Sequence, residues 1–231
     1  MKLCVALDRK TMRENLEIAN GLNGLDLWLK IGLLSFIAHG WEFVDLARSE
    51  SGSLPIFLDL KLHDIPNTTA DAAEAIADRG VEMFNVHASI GAKAMEMLSN
   101  RLALSRSRPI ALAVTALTSF GEDEFAAIYH APIGAAAIEM ASNAYKSGLD
   151  GVVCSVHESL AIKEATHRGF LTLTPGIRLA GESVHDQTRI ATPSEAKRQM
   201  SDFIVMGRSI IGAADPRKAA ENVLAQIAAT K

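Results

Sequence analysis

Three charged residues stand close together in the stretch Asp59-Leu60-Lys61-Leu62-His63-Asp64-Ile65-Pro66-Asn67-Thr68. The run that leads into it, Pro55–Leu62, is suited to a strand, and strand side chains alternate between faces. Asp59 and Lys61 therefore share one face, while Leu58, Leu60 and Leu62 take the other. Burying charge is costly unless it is paired and hydrogen-bonded, so opposite charges at the end of an apolar strand need a reason. One reason is structural: an ion pair plugging the end of a sheet, with Asp64 capping a helix that opens near Pro66. The other is chemical. An ammonium and a carboxylate fixed in advance can stabilise charge as it develops and deliver a proton to it.

What positions these groups is a repeat. Short apolar runs occupy Leu3–Asp8, Leu27–Gly32, Pro55–Leu62, Met83–Ala88, Pro109–Leu117, Gly151–Val156, Leu171–Ile177 and Asp202–Ile210. Between them apolar residues fall at helical spacing, as in Met12, Leu16, Ala19 and Leu22, or Ala72, Ala75, Ile76 and Ala77. The longest connection joins the fifth and sixth runs and has room for helices over Asp123–His130 and Ile133–Lys146. Nearly continuous apolar strands are buried on both faces, and their alternation with helices calls for parallel crossover units. Eight such units predict the α/β class and a closed (β/α)8 TIM barrel, a single domain over residues 1–231, in preference to an open sheet. Barrels of this kind carry their active sites at the C-terminal ends of the strands, where Asp59 and Lys61 fall, and this favours the chemical reason.

Composition narrows the partners. With 48% hydrophobic and 22% charged residues the chain can bury a sizeable core. A net charge of -4 argues against a general nucleic-acid or membrane-surface binder, so an anionic ligand would be held by a few local cations. Cys4 and Cys154 lie in strand-like runs with no disulfide or CxxC spacing, which predicts a reduced, cytoplasmic setting. Met1-Lys2 leads straight into Leu3–Leu7, and no stretch approaches a membrane span, so a soluble, unprocessed protein is expected.

The ten residues from Asp59 to Thr68 resemble the signature of the orotidine 5'-monophosphate decarboxylase family in its bacterial form, an Asp-x-Lys-x-x-Asp core followed by Ile-Pro-Asn-Thr. The resemblance runs through essentially the whole chain. It is carried by Val5-Ala6-Leu7-Asp8, Leu29-Lys30-Ile31-Gly32, Val86-His87-Ala88, Leu117-Thr118, Thr174-Pro175-Gly176-Ile177-Arg178 and Met206-Gly207-Arg208, in order at successive strand ends. It implies conversion of orotidine 5'-monophosphate to uridine 5'-monophosphate and CO2 in de novo pyrimidine biosynthesis, with no cofactor and no metal.

That reaction leaves a poorly delocalised carbanion at C6, and no electron-sink cofactor motif is visible in the sequence, so preorganised charge must stabilise it. The resemblance makes Lys61 the proton donor and sets Asp59 near the departing carboxylate. Lys30 and Asp64 complete a Lys-Asp-Lys-Asp array, with Asp64 supplied by the neighbouring subunit of a homodimer. Thr68, one helical turn beyond Asp64, would contact ribose from the same partner. Asp8 matches a position that binds ribose hydroxyls, and Thr118 one that contacts the pyrimidine amide edge. Gly207 and Arg208 would take the phosphate, glycine by close backbone approach and arginine by its planar fork. The long polar segment Gly176–Ile190 suits a lid, and within it Arg178 and Gln187 match ligand-contacting positions, Gln187 bridging base and phosphate.

Competing readings remain at this level. Mg2+-dependent sugar-phosphate lyases and aldolases share the Asp-x-Lys-x-x-Asp core, although they generally lack Ile-Pro-Asn-Thr, and the second strand here offers Lys30 where a metal-binding acid is needed. A nucleotide-binding protein without turnover would keep the barrel and the phosphate grip, but idle buried charges give no advantage over apolar replacements. His63, His87 and His157 all fall at strand ends, where three histidines can form a metal site, but there is no His-x-His pair on the first strand and the family matches need no metal. Trp28 and Trp41 lack a basic cluster and read as packing residues.

Overall fold

Apolar and β-branched runs form eight parallel strands, described in a computed structural model that covers residues 1–179 and 189–229. They are β1 (Lys2–Ala6), β2 (Trp28–Gly32), β3 (Ile56–Leu62), β4 (Met83–His87), β5 (Ile110–Val114), β6 (Gly151–Val153), β7 (Leu171–Thr174) and β8 (Phe203–Met206). Each pairs with the next, and β8 closes on β1 through Lys2 opposite Phe203 to Val5 opposite Met206. The result is the expected (β/α)8 barrel. Its helices are α1 (Met12–Gly21), α2 (Leu33–Glu50), α3 (Pro66–Asp78), α4 (Ala92–Leu102), α5 (Glu122–Tyr129), α6 (Ile133–Lys146), α7 (Val156–Ala165), α8 (Pro193–Arg198), α9 (Arg208–Ile211) and α10 (Pro216–Ala229).

The two faces of each strand have different work. Leu3 and Val5 of β1, with Leu29, Ile31 and Leu58, pack outward against the helices. Cys4, Ala6, Phe57, Leu112, Val114 and Val153 point inward and fill the barrel. Both sets are buried, which is why the strands read as continuous apolar runs rather than alternating ones. Trp28 and Phe203 meet edge to face at 5.5 Å within the inner set, and Trp41 meets Phe36 at 5.1 Å.

Six expected strands overrun their observed ends, β1 and β4 by one or two residues and four others by three or more. β5 stops at Val114, not Leu117, β6 at Val153, not Val156, β7 at Thr174, not Ile177, and β8 at Met206, not Ile210. The apolar residues beyond the rim belong to the next elements. Val156, Ile210 and Ile211 are buried in the helical layer, and Ser155 with Glu158 forms a capping box that starts α7. Asp64 does not cap α3 either; the N-cap is Ile65, with Pro66 in the first turn. Among the described residues no helix is long and apolar enough to cross a membrane.

Candidate active site

At the C-terminal ends of the strands lies a cavity of about 460 Å³. Its floor is the inner barrel layer, where Ala6, Phe57, Val114, Val153, Leu173 and Val205 converge. Asp8, Lys30, Asp59 and Lys61 form one wall, and Thr118, Arg178, Gly207 and Arg208 lie on the others. A patch of apolar barrel interior thus meets a concentrated set of charges.

The charges come from two adjacent strands, β2 and β3, and from Asp8 just past the end of β1, and they alternate in sign. Lys30 Nζ lies 3.4 Å from Asp8 Oδ1 and 3.4 Å from Asp59 Oδ2, and Lys61 Nζ lies 2.7 Å from Asp59 Oδ1. Register brings Lys30 and Asp59 together, since Gly32 pairs with Asp59 across β2 and β3. Gly32 itself has a steric duty: a Cβ there would come within 2.8 Å of Lys30 Nζ and 3.2 Å of Asp8 Oδ1. A side chain there would push the Lys30 ammonium and the Asp8 carboxylate from their present positions.

Lys30 and Asp59 are buried, with side chains 9% and 14% exposed, while Lys61 is 38% exposed and faces the cavity. Burial alone would neutralise both groups, and their partners reverse that. Burial lowers the Lys30 pKa, but the Asp59 and Asp8 carboxylates outweigh it and hold the ammonium above its ordinary value. Burial raises Asp59, but Lys30 and Lys61, with hydrogen bonds from Lys61 and Asn85, keep it below the usual carboxylate range. Lys30 and Asp59 are therefore each held in the charged form. Cys154, also on the cavity wall, is pushed well up by burial and stays a neutral thiol.

β3 makes an unusual turn to present these groups. Leu58 pairs with Phe84 and Leu62 with Val86, so Asp59, Leu60 and Lys61 together stand opposite Asn85 alone. Lys61 takes a φ of 53°, in the left-handed region that non-glycine residues avoid. Asn85 is fully buried, accepts from the Lys61 backbone N–H at 2.7 Å and donates from Nδ2 to Asp59 Oδ1 at 2.8 Å. Sequence reasoning passed over Asn85; the available signal was a polar, strand-disfavouring residue in the middle of the apolar Met83–Ala88 run.

Thr118 is buried at the rim, and its carbonyl accepts from Arg189 N at 3.3 Å. The Arg189 guanidinium pairs with Glu158 and donates to the Ala116 and Leu117 carbonyls at 3.2 and 3.4 Å. One arginine, also passed over in the sequence, thus ties the chain after residue 188 to the loop that follows β5 and to the first turn of α7. Arg178 is buried and donates to the Ile177 carbonyl at 2.8 Å. Arg208 opens α9 directly after Gly207.

Asp64 and Thr68 are not brought to this cavity. Both are exposed on the β3–α3 side of the mouth; the Asp64 carboxylate accepts from Ile65 N at 2.7 Å, and among the described residues it makes no ion pair. Gln187 lies outside the described residues. His63 and His87 stack at 5.5 Å and share Ser89, but His157 begins α7 away from them, and no group of three metal-binding side chains occurs among the described residues. The three-His centre is therefore not formed.

Residues 1–223 match the model of the "Orotidine 5'-phosphate decarboxylase / HUMPS family". A protein of Sulfurimonas denitrificans named orotidine 5'-phosphate decarboxylase is 52% identical over 98% of this chain and 100% of its own length. One of the same name from Wolinella succinogenes is 52% identical over 99% of this chain and 100% of its own. The crystal structure of orotidine 5'-phosphate decarboxylase from Lactobacillus acidophilus superposes with a TM-score of 0.85 at 33% identity, covering 99% of both chains. A barrel that matches this family's model over residues 1–223, and whose relatives align over nearly its whole length, belongs to the orotidine 5'-phosphate decarboxylase / HUMPS family.

Proposed function

We propose that the chain is a carboxy-lyase that converts orotidine 5'-monophosphate to uridine 5'-monophosphate and CO2, using only its own side chains. The observation that carries this reading is the continuous Asp8–Lys30–Asp59–Lys61 alternation beside an apolar cavity floor. The C6–carboxylate bond breaks and its electron pair stays on C6. The Lys61 ammonium, already fixed by Asp59 at 2.7 Å, stabilises that pair and then gives C6 a proton. Lys61 is regenerated as an ammonium from solvent.

Asp59 cannot relax away from the substrate carboxylate, because Lys30, Lys61 and Asn85 hold both its oxygens. In this reading Lys30 and Asp8 take the ribose hydroxyls, Thr118 the pyrimidine amide edge, and Arg178, Gln187, Gly207 and Arg208 the phosphate end. Asp64 and Thr68 serve the site of a second copy in a cytoplasmic homodimer. Leu33, Leu34 and Ile37 at the start of α2 and Ile65 before α3 leave apolar surface exposed beside the mouth, as a covering partner requires.

The deciding experiment is a steady-state assay with orotidine 5'-monophosphate in excess EDTA, following loss of substrate absorbance and uridine 5'-monophosphate by chromatography. Turnover undiminished by chelator is expected. Absence of turnover on this nucleotide, with chelator-sensitive activity on a sugar phosphate, would overturn the reading.

A further inference from the structure

Resting on that reading, we infer that Asn85 is a positioning residue for the reaction: one buried amide sets the carboxylate plane of Asp59 and locks the backbone turn that aims Lys61. The register break between β3 and β4 creates the need for such a residue. Where β3 slips against β4, the Lys61 N–H loses its ladder partner, and a buried N–H without an acceptor is costly. Asn85 Oδ1 replaces the missing strand at 2.7 Å. The same side chain then has its Nδ2 free to turn toward the cavity, where it meets Asp59 Oδ1 at 2.8 Å.

The orientation of the amide follows from its neighbours. A backbone N–H can only donate and an ionised carboxylate can only accept, so Oδ1 must face Lys61 and Nδ2 must face Asp59. Asp59 Oδ1 then receives two donors, Asn85 and Lys61, while Oδ2 faces Lys30. Of these three donors only Asn85 is uncharged and fully buried on a rigid strand. Lys61, the more exposed partner, can move toward a substrate while Asn85 keeps the carboxylate in place. No other side chain of this size supplies a donor and an acceptor at that spacing without adding charge.

The test compares the parent, Asn85→Ala and Asn85→Asp in the full-length protein, with kcat, KM and uridine 5'-monophosphate affinity measured for each. Asn85→Ala is expected to lose about 10²-fold in kcat, the order that small misplacement of reacting groups costs, with product affinity within about threefold of the parent. Asn85→Asp keeps the acceptor for Lys61 but sets an anion against Asp59. Its kcat relative to the parent is expected to rise as pH falls, because the protonated carboxyl again offers a donor. A folded Asn85→Ala with parental kcat, or an Asn85→Asp whose pH profile parallels the parent's, overturns the inference. Should Asn85→Ala fail to fold, the near-isosteric Asn85→Asp profile decides alone. Failure of the parent itself to turn over the nucleotide would instead defeat the reading of function, so the two failures are distinct.

Discussion

Lys61 carries two demands that conflict locally. Its ammonium must reach the cavity, and to do so its backbone occupies the left-handed region at φ 53°, which costs a non-glycine L-residue about 1–2 kcal/mol. Such strain persists only where the surroundings over-determine it, here through the Asn85 acceptor and the Asp59 ion pair. Removing the side chain separates the two demands. Lys61→Gly and Lys61→Ala are both expected to lose nearly all turnover, yet Lys61→Gly should unfold at higher denaturant, by about 1 kcal/mol, since glycine accepts positive φ without penalty. Equal stability of the two variants in urea titrations would mean that the backbone at this residue relaxes once the ammonium is gone.

Among elements, the strand ends and the segments that follow them divide the labour of the site. The ends of β1, β2 and β3 hold the charge array, whereas the loop after β5 and the first turn of α7 are joined to the chain at Arg189 by its pair with Glu158 and its bonds to residues 116 to 118. Burial pushes the Glu158 carboxyl above its ordinary range, and Arg189 pulls it back only in part, so the pair is held at some electrostatic cost. Arg189→Ala is expected to raise KM for orotidine 5'-monophosphate about tenfold while changing kcat less, the pattern of lost binding shared by ground and transition states. An unchanged KM in steady-state kinetics would show that this tie has no part in binding. The barrel was legible from the sequence because two-sided burial writes itself as apolar runs and helical spacing, and Asp59 and Lys61 because charge inside such a run is conspicuous. Strand ends were less so, since Val156 and Ile210 are as apolar in a helix facing the barrel as in a strand. Asn85 was missed for a related reason: its importance depends on a slip between β3 and β4, and register is a property of two segments that neither states alone.

On the scale of the whole molecule, the cavity of one chain lacks two of the residues that the proposed site calls for. Asp64 and Thr68 sit exposed at the mouth, and the apolar Leu33, Leu34, Ile37 and Ile65 are exposed on the same side. A two-fold dimer would account for both, because a self-complementary contact buries the same patch twice and sends each Asp64 toward the other chain's array. It would also place a fifth charge, Asp64, beside Lys61 and reduce its contact with water, raising the strength of every electrostatic term in the site. The arrangement makes a quantitative prediction. Lys61→Ala and Asp64→Ala chains, each inactive alone, would on mixing form heterodimers in which one site carries both lesions and the other neither. Random reassociation of equal amounts makes heterodimers about half of all dimers, so about a quarter of the sites should be intact. Activity approaching a quarter of the parent's after co-denaturation and refolding is expected, with heterodimers verified by differently tagged chains. If tagged heterodimers form and activity stays at the level of the separate variants, each site is built within one chain, and Asp64 must be placed by a movement of its own β3–α3 loop.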